Sequence, residues 1–180
     1  MSALPEAKLS HVGVFVRDME KMVAFYKEAI GLMVTDKGVT GRGIPATFMS
    51  SSPNEHHQLL IAQGRNVDND AMVINQLSFR VASLDDLKIF HTRLKSMNVD
   101  GMRITTHGNA WSIYFFDPEG NKVEVYTATP WYVQQPFGVP FDITEPTQVI
   151  IDKTQKMLAD KPGYQPVEQW SANMQARLAR

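Results

Sequence analysis

Apolar and polar positions alternate strongly near the start of the chain. In Ser10-His11-Val12-Gly13-Val14-Phe15-Val16, the valines fall on one face and His11, Gly13 and Phe15 on the other. That two-residue period is the mark of a half-buried strand. Asn75-Gln76-Leu77-Ser78-Phe79-Arg80-Val81 repeats the pattern, with Leu77, Phe79 and Val81 on the apolar face and Gln76, Ser78 and Arg80 opposite. His11 aligns with Gln76 and Phe25 with Phe90, a constant offset of 65 residues. An internal repeat of this kind settles the architecture before any single element does. Each strand runs into a helix start signal: Asp18 as N-cap in the first copy, and Ser83 with Asp86 as a capping box in the second. Helical spacing follows in Met22, Phe25 and Ile30, then in Leu84, Leu87, Phe90 and Leu94. Gly31 and the Asn98 region are the expected stops.

Three short extended segments follow each helix. They are expected at Met33–Thr35, Ile44–Ser50 and His57–Ala62, then at Arg103–Thr106, Trp111–Phe116 and Lys122–Thr127. Asp117-Pro118-Glu119-Gly120-Asn121 supplies turn chemistry between the last two. The reading is an α+β fold of two tandem βαβββ modules, at about 8–63 and 72–128, with the polar stretch Gly64–Asp70 between them. A C-terminal extension covers 129–180. In it the aromatic stretch Pro130–Phe137 precedes a helix over about 145–160, with Thr144 as N-cap and Pro146 in the first turn. One domain is expected, with the free faces of a curved sheet lining a cleft.

Composition narrows the chemistry. The net charge of −1 gives no field for nucleic acid or an anionic membrane. No apolar run approaches the about 20 residues of a membrane span. Met1–Leu9 carries Glu6 and has no signal-peptide core, so a cytoplasmic protein is expected. With no cysteine, a metal would have to be held by His, Asp, Glu, Asn or Gln. Alternation sends Glu124, between Val123 and Val125, to the same face type as His11. A carboxylate there is costly unless metal-bound or paired, with Arg80 as one candidate partner. His57 precedes a strand, and His56 beside it reads as solvated. His107 and Asn109 lie in a loop of the kind that holds catalytic groups. Tyr114 shares a face with Ser112. Trp131 and Tyr132 either close over the cleft or anchor the C-terminal helix.

Ser10-His11-Val12-Gly13, Asn54-Glu55-His56-His57-Gln58-Leu59, Gln76-Leu77-Ser78-Phe79, His107-Gly108-Asn109, Ser112-Ile113-Tyr114 and Asp117 through Tyr126 occur in an ordered combination. In that combination the chain, from about Leu9 to Gly138, resembles the vicinal oxygen chelate superfamily. Within it the chain is similar to one-domain type I extradiol ring-cleaving dioxygenases. The resemblance implies Fe(II) or Mn(II) held by His11, Glu124 and the residue at 76, with a small catecholic aromatic and O₂ as substrates. It implies His57 as the acid–base histidine, His107 and Tyr114 as catalytic groups at the substrate ring, and Asn109, Ser112 and Trp131 as substrate contacts. Gln76 stands where the family pattern has a histidine ligand, and its carbonyl oxygen can ligate a hard cation. Two alternatives stay open. One is a glyoxalase-like isomerase or lyase, which would take a fourth ligand at Gln58, read as the counterpart of Glu124. The other is a metal-free binding protein of the same fold. Exposed sheet edges and the added helix point to a homodimer.

Overall fold

The computed structural model describes residues 8–65 and 74–178. Most of the polar stretch between the modules lies outside the described residues. The chain divides into two compact units, 1–72 and 73–180.

The first unit runs β1 (Val12–Val16), α1 (Met19–Ala29), β2 (Met33–Val39), β3 (Pro45–Ser50) and β4 (Leu59–Gln63). Its sheet has the order β1-β4-β3-β2, with β1 parallel to β4 and the other pairs antiparallel. Asp18 caps α1, its Oδ1 accepting the Lys21 N–H at 2.9 Å. The helix stops at Ile30, and Gly31 takes the left-handed φ of +84° that a C-terminal cap requires. The buried face of α1 is Met22, Tyr26 and Ala29, and the helix packs on β4. Tyr26, absent from the expected apolar stripe, is fully buried, while Phe25 stays half-exposed. Met49, Leu59 and Ile61 complete this core. Strand β2 is longer than the expected Met33–Thr35. Asp36, Lys37 and Gly38 carry no strand signal, yet they pair with β3 along the sheet edge.

The second unit repeats the order with β5 (Leu77–Arg80), α2 (Leu84–Ser96), β6 (Arg103–Thr106), β7 (Ala110–Phe116) and β8 (Lys122–Ala128). Here β5 lies parallel to β8, as β1 does to β4. Ser83 Oγ accepts the Asp86 N–H at 3.1 Å and donates to the Asp86 carboxylate at 2.7 Å. Asp86 therefore binds the cap's hydroxyl and does not reach back to its backbone. Leu84, Leu87 and Leu94 bury α2 against β7 and β8. Asn98 closes that helix at φ 51°.

The extension supplies β9 (Trp131–Tyr132), β10 (Val139–Pro140), α3 (Thr147–Leu158), β11 (Gln165–Pro166) and α4 (Val167–Leu178). Strand β10 pairs with β6 and so covers what would be the free edge of the second sheet. Trp111 Nε1 donates to Thr154 Oγ1 at 3.0 Å, tying α3 to β7. Helix α3 begins later than expected. Thr144 does not cap it: the Thr144 N–H and hydroxyl both bind Asp142 Oδ1, and Pro146 occupies the cap position with no side-chain bond. Asp142 outcompetes the helix for Thr144, and a proline that lacks an N–H starts the helix without needing a partner.

Gly108 sits in the turn before β7 at φ +75°, and a Cβ there would meet Val133 Cγ2 at 2.5 Å and Leu158 Cδ2 at 3.0 Å. Gly120 has φ +79° with nothing within 4 Å. Gly120→Ala should therefore cost only the left-handed conformation, about 1 kcal/mol. Gly108→Ala should cost about 2–3 kcal/mol, because the extension must also move. Urea midpoints measured at unchanged m decide it, and equal losses for the two variants would contradict the packing described.

Candidate functional site

Three histidines gather in the first unit. His11 immediately precedes β1 and His57 lies two residues before β4, so the parallel pairing of these strands brings them together. Their rings are 4.2 Å apart, centroid to centroid. Phe48 of β3 stands edge-on to His57 at 5.1 Å. Burial, and then the neighbouring imidazoles of His11 and His56, lower the His57 pKa below the ordinary histidine value. At neutral pH His57 is therefore a free base. His56 is not simply solvated: its Nδ1 lies 2.9 Å from His57 Nδ1 and its Nε2 3.1 Å from Asp36 Oδ2.

Gln58 does not serve the face expected of it. Its Oε1 accepts the Ser51 N–H at 2.9 Å and the Ser51 hydroxyl at 3.0 Å, which closes the loop after β3. The registers also correct its alignment. Val12 pairs with Leu59 and Leu77 with Val123, so the counterpart of Glu124 is Leu60, not Gln58. Leucine offers no donor for a fourth ligand.

In the second unit the registers set Arg103, Tyr114, Glu124 and Ser78 in one row across β6, β7, β8 and β5, on the face away from α2. Glu124 is only 6% exposed. Its Oε2 accepts from Ser78 Oγ at 2.6 Å and from Gln76 Nε2 at 2.8 Å. Tyr114 is its cross-strand neighbour. All these partners are neutral. Arg80, the expected cation, pairs in register with Tyr126 instead. Arg103 and Lys122 lie over the Tyr114 ring, at 4.9 and 5.8 Å from its centroid. Among the described residues this buried carboxylate is bonded by neutral donors, and such a position suits a cation.

Tyr114 also bonds His107, with Oη 2.8 Å from Nε2. His107 Nδ1 lies 2.7 Å from the Phe137 carbonyl, which can only accept. A neutral His107 therefore carries its proton on Nδ1 and accepts the Tyr114 proton at Nε2. Gln135 Nε2 donates to the His107 carbonyl at 2.8 Å, so the segment 135–138 grips this histidine by both backbone and ring. Burial first, and then the Glu124 carboxylate, push the Tyr114 phenol well above the ordinary tyrosine range, against a smaller opposing effect of Arg103. The phenol thus stays a proton donor through neutral and mildly alkaline pH.

The other expected contacts separate. Ser112 lies on the same face as Tyr114 and is fully buried. Its hydroxyl sits near the phenol but makes no hydrogen bond of good geometry among the described residues. Asn109 holds the turn through its carbonyl, which accepts the Thr129 N–H at 3.0 Å. Trp131 is packing: it is buried edge-on against Trp111, with centroids 6.3 Å apart. Ser78 and the Phe137 carbonyl belong to the second unit's network and were not singled out from sequence. Ser78 was legible as a face position only, and a backbone carbonyl has no sequence signature.

Among the described residues no three His, Asp, Glu or Cys side chains gather closely enough to hold an ion unaided. The second unit offers a carboxylate and an amide, hard oxygen donors of a kind that suits Mn(II) and similar divalent ions.

The coupling of Tyr114 to Glu124 can be measured. Phenolate beside carboxylate is like-charge repulsion, so Glu124→Gln should lower the Tyr114 pKa toward the ordinary value of about 10. Carbon NMR of the labelled phenol reads the titration, and an unmoved value would refute the coupling.

Comparison with known proteins adds a fold and a family. The model of the Glyoxalase/Bleomycin resistance protein/Dioxygenase superfamily matches residues 8–125. The uncharacterized protein YwbC of Bacillus subtilis (strain 168) is 23% identical over 123 residues, which cover 66% of this chain and 96% of that protein. A glyoxylase/bleomycin resistance protein/dioxygenase domain from Frankia sp. EAN1pec superposes with a TM-score of 0.59 at 21% identity, over 69% of this chain and 94% of its own. The fosfomycin resistance protein FosX from Listeria monocytogenes, complexed with Mn(II) and sulfate, gives 0.53 at 20% identity over 69% and 95% of the two chains. Lactoylglutathione lyase from Agrobacterium tumefaciens gives 0.51 at 18% over 69% and 96%. These structures share the βαβββ fold, and with the family model matching well over half its length the chain belongs to the Glyoxalase/Bleomycin resistance protein/Dioxygenase superfamily, the vicinal oxygen chelate group.

Proposed function

We propose that this chain is a divalent-metal-dependent enzyme acting on a small molecule that presents two adjacent oxygens, with His11, Gln76 and Glu124 as the metal ligands. The observation that carries the reading is Glu124, a buried carboxylate beside Tyr114 that is bonded by Gln76 and Ser78 and, among the described residues, by no cation. Gln76 now donates its amide nitrogen to Glu124. Turning that amide would present its oxygen as a ligand and leave Ser78 to orient the carboxylate, an outer contact of the kind that tunes metal affinity. A divalent ion held there would polarise the substrate oxygens and lower the pKa of a bound hydroxyl. His57, a free base at neutral pH, would take that hydroxyl's proton. Tyr114 would turn its one proton from His107 to the substrate, leaving the Nε2 lone pair of His107, held in place by Phe137, free to accept from a substrate hydroxyl.

Ring cleavage of a catechol, in the extradiol manner, is the specific reaction this set supports best. The paired His107 and Tyr114 offer a neutral donor and an adjacent acceptor beside the carboxylate, which suits a hydroxylated ring. Mn(II), the ion in the FosX complex, and Fe(II) are the metals to try first. The second reading is a glyoxalase-like isomerase or lyase, favoured by the amide of Gln76 and weakened by Leu60 at the fourth-ligand position.

Full-length protein stripped with chelator should take up Mn(II) or Fe(II) stoichiometrically under anaerobic titration. Glu124→Gln and His11→Ala should each weaken uptake more than ~10-fold, the lower bound seen even for outer contacts. Iron-loaded protein should then bleach the ring absorbance of at least one catechol in air. Absence of any tight Mn(II), Fe(II), Ni(II) or Zn(II) uptake would leave a metal-free binding protein instead. Metal uptake with turnover only of 2-oxoaldehyde–thiol adducts would select the second reading.

A further inference from the structure

We infer that Asp36 and His56 form a two-residue positioning relay that fixes the tautomer of His57, placing its ring proton on Nδ1 and its lone pair on Nε2. The geometry leaves few choices. An ionised carboxylate only accepts hydrogen bonds, so the 3.1 Å contact to Asp36 Oδ2 places a proton on His56 Nε2. A neutral His56 then has its lone pair on Nδ1. That nitrogen faces His57 Nδ1 at 2.9 Å, and only one hydrogen fits between them. It must come from His57. The nitrogen of His57 remote from His56 is left as the acceptor.

Two further observations indicate that the relay is built and not incidental. In β2, Val34 pairs with Met49 and Asp36 with Phe48, so Thr35 is an extra residue, a bulge. Regular alternation would give Asp36 the facing of Val34. The bulge turns it instead to the side of Phe48, a re-aiming for which bulges are suited. Phe48 in turn contacts both rings, at 5.5 Å from His56 and 5.1 Å from His57. One aromatic side chain therefore backs the pair from β3 while the bulged edge strand supplies the acid.

Asp36 and His56 are 68% and 55% exposed, so their contact adds little to stability. It does not need to. The two tautomers of a neutral imidazole differ only slightly in free energy, and the bond made by one nitrogen decides which form is present. Free histidine prefers the proton on Nε2, which would blunt His57 as a base at that atom. The consequence for catalysis rests on the proposed proton-accepting role of His57, but the tautomer itself is observable without any activity.

The test is long-range proton–nitrogen NMR on full-length, chelator-treated protein at a pH where both rings are neutral. In the wild type, His57 Nδ1 should give the protonated, pyrrole-like shift and Nε2 the pyridine-like one. Asp36→Ala should shift more than half of the His57 population to the Nε2–H form, and Asp36→Glu should restore the wild-type assignment. His56→Ala should reproduce the Asp36→Ala effect, and combining the two should add nothing, because Asp36 acts through His56. Both positions are exposed, and an unchanged melting temperature shows that the variants fold. A wild-type His57 protonated on Nε2, or populations unmoved by Asp36→Ala, would overturn the relay. If the assignments hold but no metal-loaded turnover is found, the functional reading fails while the relay stands.

Discussion

The constraint on which the rest of this molecule depends is the parallel closure of each βαβββ module. A strand and the last strand of the same module can lie side by side and parallel only if the chain crosses over between them, which α1 and α2 do on one face. That crossover leaves the opposite face free of helices. It also brings residues far apart in sequence to the same end of neighbouring strands: His11 beside His57 in the first unit, Gln76 and Ser78 beside Glu124 in the second. In each unit these side chains therefore gather where two strand starts meet, and their placement follows from hydrogen-bond register before any side-chain preference acts.

Electrostatics then separates the two halves. The first unit gathers imidazoles around His57, whose partial burial and whose neighbours' proximity favour its neutral form. The second gathers a carboxylate with neutral donors and keeps its cations over the face of an aromatic ring. Each arrangement is mildly unfavourable alone, since clustered bases repel protons and a buried acid lacks a counter-charge. Such locally uneconomical groupings mark functional positions more reliably than well-satisfied ones do.

Much of this was legible in the sequence because it is periodic. Alternation and the 65-residue offset identify the strands, the helices and the facing of Glu124. Caps at Asp18 and Ser83 and stops at Gly31 and Asn98 are local chemistry, and they stand where the residues place them. What escaped has no periodic trace. Asp36 to Gly38 join a strand through edge pairing, against their own propensity. Thr144 prefers Asp142 to a helix end. Gln58 lies two positions from Leu60, the counterpart of Glu124 in the strand register, an offset that segment likeness alone does not reveal. Aromatics are the extension's visible signal, but Trp131 turns to the core, and a carbonyl and an amide from 135–138 hold His107.

The bulge at Thr35 has a consequence for how this strand can vary. Edge strands usually tolerate gains and losses of a residue, because little packs on them. Here losing Thr35 would leave Asp36 opposite Phe48 and restore regular pairing, whereas an added residue of β3 across from Thr35 would put Asp36 on the side of Val34. The lengths of the two strands are therefore linked characters, a link that comparing residue identities column by column would overlook.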